Sequence, residues 1–315
     1  MIDESRLRHP SERAIYAATV VVNLALMAAA IYFTAYSAEW LESYPRLARW
    51  AGALRAAAVL AIMSPPALVV LRNTRRAVVT GSAVPLSRAQ LPEIHSSFER
   101  FCEALGMRPA PDLFLTEDAI DEVSNAYSSW RSNYVVLRSK FLESDLAEVR
   151  DVYEFFLARE IGRVRLGHTQ WWDELLLSYV VQIPYLRNPL AHVRTYSHDR
   201  YALALAPDSV RGLVVQAAGR HMLKRMSVPE YLRQAITFDG FWVRVASLTR
   251  RSPHVALRVR RLYEAGLLDL DPTSAAPVAA PPGALSLAMP AARAARRAPG
   301  ADGAPVACES VRELV

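Results

Sequence analysis

The chain reads as a mainly α protein of the α+β kind: an N-terminal transmembrane hairpin followed by a helical domain with a small β-sheet. Three observations predict this class. Two long apolar runs precede residue 72, apolar residues then recur at helical spacing from residue 90 to 270, and two short apolar runs in that region have strand length. The 315 residues are 52% apolar with a mean hydropathy of +0.09, which excludes a disordered chain, a collagen or a coiled-coil rod.

The first apolar run, Ala14–Ala38, holds 25 residues without a charge, and Asn23 is its strongly polar member. It exceeds the roughly 20 residues that cross a hydrocarbon core. It is too long for a signal-peptide core and is followed by no A-x-A site, so it reads as a retained anchor. The second run, Ala56–Leu71, is interrupted by Pro65 and Pro66 and reaches spanning length when Trp50–Leu54 are added, with Arg55 reaching to the interface. The alternative for this run is a re-entrant or surface-lying helix. Arg72, Arg75, Arg76 and Arg88 follow it with no acid before Glu93, and Arg6, Arg8 and Arg13 precede the first run. The connecting loop mixes Glu39 and Glu42 with Arg46 and Arg49. That asymmetry predicts a multi-pass protein of the cell membrane with both ends and the globular domain cytoplasmic. The segments are therefore a tail over 1–13, spans over 14–38 and 50–71, a domain over 90–270, and an Ala/Pro-rich tail over 271–315 too poor in large apolar residues to bury a core.

Within the domain, Leu91, Ile94, Phe98, Phe101 and Leu105 mark a helix closed by Gly106. Leu113–Leu115 and Tyr134–Leu137 read as strands. Asp145–Leu166 is the strongest helix, with Ser144 as N-cap and Gly167 at its far end. Further helices are predicted over 209–225, 229–250 and 255–265, and Trp171–Leu190 reads as one interfacial or buried helix rather than a third span. The 12 glycines include no GxGxxG or P-loop pattern. Cys102 and Cys308 lie too far apart to make a CxxC pair. A net charge of +6 without a recognition motif reads as a solvated basic surface, so no nucleic-acid partner is assigned.

The central helix carries Val149, Tyr153, Phe156, Leu157, Glu160 and Val164 as an inward stripe. Glu160 on an apolar face is paired or functional, because an isolated buried charge costs several kcal/mol. Arg163, one turn on, is its nearest partner in sequence.

These residues resemble the HtpX-type membrane zinc metallopeptidases, a gluzincin group that includes the CAAX prenyl endoproteases. Glu160, Gly162, Gly167 and His168 match the frame around the family's H-E-x-x-H helix, and Asp199-Arg200-Tyr201-Ala202 matches the end of its third-ligand helix. Asn125-Ala126-Tyr127 is similar to its N-A-F segment, and Tyr134-Val135-Val136-Leu137 to the strand along which its substrates lie. Pro253 and Arg258 match its H-P-x-x-x-x-R element, with Ser252 in place of the His. The resemblance covers about residues 10–268 and implies a zinc held by two His and a Glu, with Glu160 as general base on the bound water.

The departures fall at the metal. Arg159 and Arg163 occupy the two His positions and Thr195 the ligand Glu position. Arginine stays protonated and offers no lone pair, and a threonine hydroxyl is a poor ligand. The sequence therefore assigns no metal and no cofactor, and an Arg–Glu cluster in the metal's place, joined by Asp199. A relocated site from His168, His198 and Asp199 is the alternative; His192, His221 and His254 read as surface or capping residues. The expected function is a membrane-anchored pseudopeptidase that binds a polypeptide client or membrane-protein partner, the edge around Tyr134–Leu137 accepting an extended peptide by strand addition. The competing expectation is an active zinc endopeptidase cleaving membrane-associated proteins.

Overall fold

The structure is a computed structural model that describes residues 4–42, 50–117, 124–128, 132–139, 142, 146–237 and 240–270. The connecting loop 43–49, the cap Ser144 and the tail 271–315 with Cys308 lie outside the described residues, as do the side chains of Glu39, Glu42, Arg72, Arg75 and Arg76.

After a short helix α1 (Glu4–Leu7), two long helices, α2 (Glu12–Glu42) and α3 (Ala51–Ser82), pack along one another. Within them Glu12–Tyr36 and Ala51–Leu71 are long and apolar enough to cross a membrane. Pro65 and Pro66 do not interrupt α3. A proline lacks the N–H that would bond the carbonyl four residues back, and here the Ser64 hydroxyl donates to the Ala61 carbonyl at 2.8 Å in its place. Residues 4–13 pack onto the domain and are not a free tail: Leu7 is buried in the domain core and Glu12 is 3% exposed.

Four strands form one sheet: β1 (Val84–Pro85), β2 (Asp112–Thr116), β3 (Ser124–Ser128) and β4 (Asn133–Arg138), in the order β1-β2-β4-β3. β4 runs parallel to β2 and antiparallel to β3. Tyr134, Val135, Val136 and Leu137 are all buried, which explains their unbroken apolar run. This corrects the expectation of a substrate edge at Tyr134–Leu137. Both sides of β4 are already hydrogen-bonded, so no strand can add there. The outer strand is β3, which holds Asn125 opposite Val136.

The remaining helices are α4 (Pro92–Ala104), α5 (Arg150–Arg165), α6 (Trp171–Leu176), α7 (Pro184–Leu205), α8 (Arg211–Ala218), α9 (Arg220–Leu223), α10 (Val228–Thr237), α11 (Phe241–Leu248) and α12 (Val255–Glu264). α5 lies at the centre, against α4, α7, α8 and strands β3 and β4. It is buried on nearly every side, with Phe155, Ala158 and Ile161 as enclosed as the predicted stripe. A single inward face was therefore too narrow an expectation. Close crossing requires Gly162: a Cβ there would stand 2.4 Å from the Tyr201 Cβ of α7.

Three predicted helices are broken. Residues 209–225 divide at Gly219, whose φ of 73° lies in the left-handed region. Residues 229–250 divide into α10 and α11. Residues 171–190 form α6, a 3₁₀ turn at Val180–Gln182 and the start of α7. This last segment is held on the apolar helices. Asn23 of α2, 2% exposed, accepts hydrogen bonds from the backbone N–H of Tyr179 (2.8 Å) and Val180 (3.2 Å), and the Gln182 amide donates to Ser64 of α3 (3.1 Å).

Candidate functional site

α5 and α7 cross through Gly162 and Tyr201, and beside that crossing they bound a cavity of about 130 Å³. Arg159 and Arg163, four residues apart, share one face of α5, and both line the cavity together with Thr195 of α7. The three positions that correspond to zinc ligands in the resemblance thus converge on one space, although they are 36 residues apart at the extremes of the sequence.

Glu160 is 1% exposed and sits between two cations, 3.5 Å from Arg159 Nη1 and 3.6 Å from Arg163 Nη1. Arg159 Nε is also 3.5 Å from Asp199 Oδ1. Asp199, fully buried, is gripped from its other side by Arg258 of α12, whose Nε and Nη2 donate to the two carboxylate oxygens at 2.6 Å each. Arg258 Nη1 donates to Gln216 of α8 at 2.7 Å. Arg258 is itself 1% exposed, so this fork ties α7, α8 and α12 together inside the core.

His168 reaches the site because α5 ends in a Schellman turn. The His168 N–H donates to the Arg163 carbonyl (3.2 Å) and the Gly167 N–H to that of Val164 (3.0 Å), with Gly167 at φ 75°. The chain therefore leaves the helix at Gly167, and His168 lines the cavity. His168 Nδ1 lies 2.8 Å from His198 Nε2, and His168 Nε2 lies 2.9 Å from a Glu12 carboxylate oxygen. Burial above all lowers the pKa of His168, against the opposing hydrogen bond from Glu12. Burial above all, with the guanidiniums of Arg163, Arg159 and Arg194 nearby, holds His198 well below its usual range. With both rings neutral, the carboxylate fixes the tautomers: His168 donates from Nε2 to Glu12 and accepts at Nδ1 from His198. The Ser197 hydroxyl donates to the other Glu12 oxygen and accepts from the His9 N–H at 2.9 Å.

The sequence reading missed Glu12, which returns to the site from the start of the first apolar run. It also missed Arg187, Arg194 and Arg251, all of which line the cavity. Arg194 forks onto Asp173 of α6 at 2.7 and 2.8 Å. The signal was present for α7: residues 187, 191, 194, 195 and 198 recur at helical spacing, and all five line the cavity. Arg251 belongs to a loop and had no such signal. His192 Nε2 donates to the Arg250 carbonyl (2.8 Å) and lies apart from the cavity, as do His221 and His254.

The donor set does not suit zinc. Two of its three positions are guanidiniums, and among the described residues no group of three or more His, Cys, Asp or Glu side chains is placed to hold a metal ion. Asn125 lies in strand β3, and Tyr134–Leu137 lie in β4 and are not among the cavity's lining residues. No family model, no curated protein and no solved structure matches this chain. The resemblance to zinc metallopeptidases rests on the residues themselves.

Proposed function

We propose that this chain is a membrane-anchored pseudopeptidase: a degenerate relative of the HtpX-like zinc metallopeptidases that binds a polypeptide or membrane-protein partner without hydrolysing it. One observation carries the reading. Positions 159, 163 and 195 meet around a single cavity, as a zinc site would require, while their side chains are Arg, Arg and Thr. A common cavity supports the resemblance, and the side chains remove its chemistry, since cations repel zinc and leave Glu160 no activated water to deprotonate.

In this reading α2 and α3 form a hairpin across the cell membrane, and the arginines flanking it keep the domain on the cytoplasmic side. Asn23 and Ser64 then sit within the spans and hold the 177–182 segment against them, so the domain is fixed close to the bilayer surface. An extended polypeptide would pair with β3, the outer strand next to α5, and not with β4.

The test is a cleavage assay with full-length protein in detergent, using casein and a membrane-protein substrate, with and without chelator and added zinc. No cleavage above that of a Glu160→Gln control is expected. Chelator-sensitive cleavage abolished by Glu160→Gln would establish the active endopeptidase instead.

A further inference from the structure

Among the described residues, the cavity between α5 and α7 is lined by five arginines, Arg159, Arg163, Arg187, Arg194 and Arg251, and by no carboxylate. Behind this lining stand Glu160, Asp173 and Asp199, with Arg258 committed to Asp199. Among the described residues, six guanidiniums thus gather around three carboxylates; Glu12, nearby, has Arg8 at 3.5 Å as its own counter-charge. Guanidiniums gathered around one cavity raise its positive potential, which attracts an anion.

Two of the cations are not engaged by a carboxylate. Arg187 Nη1 reaches the Val181 carbonyl at a long 3.4 Å, and its Nε is buried with no hydrogen-bond partner. Arg251 is exposed at the rim. A buried donor without an acceptor is costly, so Arg187 marks where an acceptor belongs. The lining also includes the aliphatic Leu177, Val180 and Leu190, and Thr19 of α2. Thr19 lies about 10 Å along the first apolar helix from Glu12, at 1.5 Å per residue. In a bilayer that is the region where headgroups meet hydrocarbon.

We propose that this cavity is an anion site that takes a phosphate group, supplied by a phospholipid headgroup or by free phosphate, with Arg187 and Arg251 as its principal ligands. Several guanidiniums around one space suit a tetrahedral phosphate group, whose oxygens point in several directions, better than a planar carboxylate with two. The cavity's 130 Å³ is several times the ~30 Å³ share of one liquid water, which leaves room for such a group. The lipid source rests on the membrane reading above; the phosphate site itself does not.

Thermal unfolding of the full-length protein in a neutral detergent tests this, at ionic strength held constant with chloride. The probes are inorganic phosphate, acetate and dioleoylphosphatidylglycerol dispersed in the same detergent. Phosphate, the lipid or both are expected to raise the unfolding midpoint while acetate does not. A response to the lipid alone assigns the headgroup as source; a response to inorganic phosphate shows that the free ion suffices. The Arg187→Gln/Arg251→Gln double variant should need at least about tenfold more of the active probe for the same shift. Arg251→Gln alone, at an exposed rim position, carries the test if the double variant does not fold. No response to phosphate or lipid beyond chloride, an equal response to acetate, or variants that respond like the native chain would overturn the proposal. A zinc-loaded, proteolytic chain that still bound phosphate would defeat the functional reading and leave this site standing.

Discussion

Two arginine–carboxylate arrangements flank the crossing of α5 and α7, and they differ in kind. Arg258 and Asp199 form a two-pronged hydrogen bond at 2.6 Å, with both side chains almost wholly enclosed. Glu160 instead stands 3.5–3.6 Å from Arg159 and Arg163, and the Arg163 side chain is 20% exposed toward the cavity. The first separation fits a charge-assisted hydrogen bond, while the second compensates charge without fixing geometry. The difference teaches which arginine is structural. Arg258 is a strut among α7, α8 and α12, whereas Arg159 and Arg163 form the wall of a space that something else can enter.

The largest effect should come from breaking the strut. Arg258→Gln strands Asp199 in the core and is expected to cost about 3–5 kcal/mol in denaturant unfolding, enough to deplete folded protein in the membrane fraction. Arg163→Gln removes a partly exposed partner and should cost no more than about 1 kcal/mol. Equal losses at the two positions would erase the distinction.

The crossing that holds both arrangements is tested next. Gly162→Ala drives a methyl into Tyr201 and should cost about 1–3 kcal/mol. Gly81→Ala, near the end of α3 with nothing within 4 Å, should be neutral or stabilising by up to about 1 kcal/mol. A harmless Gly162→Ala would mean that the two helices cross with more room than they show.

The sequence disclosed more of the strut than of the wall. Asp199 and Arg258 both stood out in motif frames, and the two apolar helices and α5 follow directly from length and periodicity. Glu160 on an apolar helix announced its own need for cations. What stayed hidden is long-range: Glu12 reaches Ser197 and His168 across more than 150 residues. Asn23 looked like one polar blemish in a span and proves to be the acceptor that docks the 177–182 turn. The breaks at Gly219 and within 177–183 escaped because apolar spacing continues through them, and β3 escaped because Ser124–Ser128 is too short and polar to stand out from a loop.

A smaller effect concerns the imidazoles on the cavity side. His168 and His198 have native pKa values below the unfolded 6.5, so the unfolded chain binds more protons as pH falls through that value. Stability should be fully present above pH 6.5 and decline below it, by up to about 1.4 kcal/mol per pH unit for each histidine until its native pKa is reached. His198→Gln keeps a donor for His168 and should flatten the decline between pH 6.5 and 5. A stability that rises on acidification would show the rings to be charged in the native state.

The smallest expected signal is a thiol. Burial pushes the Cys102 thiol up to about 12, so in a Cys308→Ser background it should react with a thiol reagent only on unfolding. Prompt labelling of the native protein would place Cys102 outside the α4 core.

The most direct measurement is the metal content of full-length protein extracted from membranes in neutral detergent without chelator, determined by elemental analysis. Zinc well below one equivalent per chain, and no uptake after incubation with excess zinc and desalting, is the expected result. One retained equivalent, lost on substituting Glu160, Asp199 or His198, would contradict the pseudopeptidase reading.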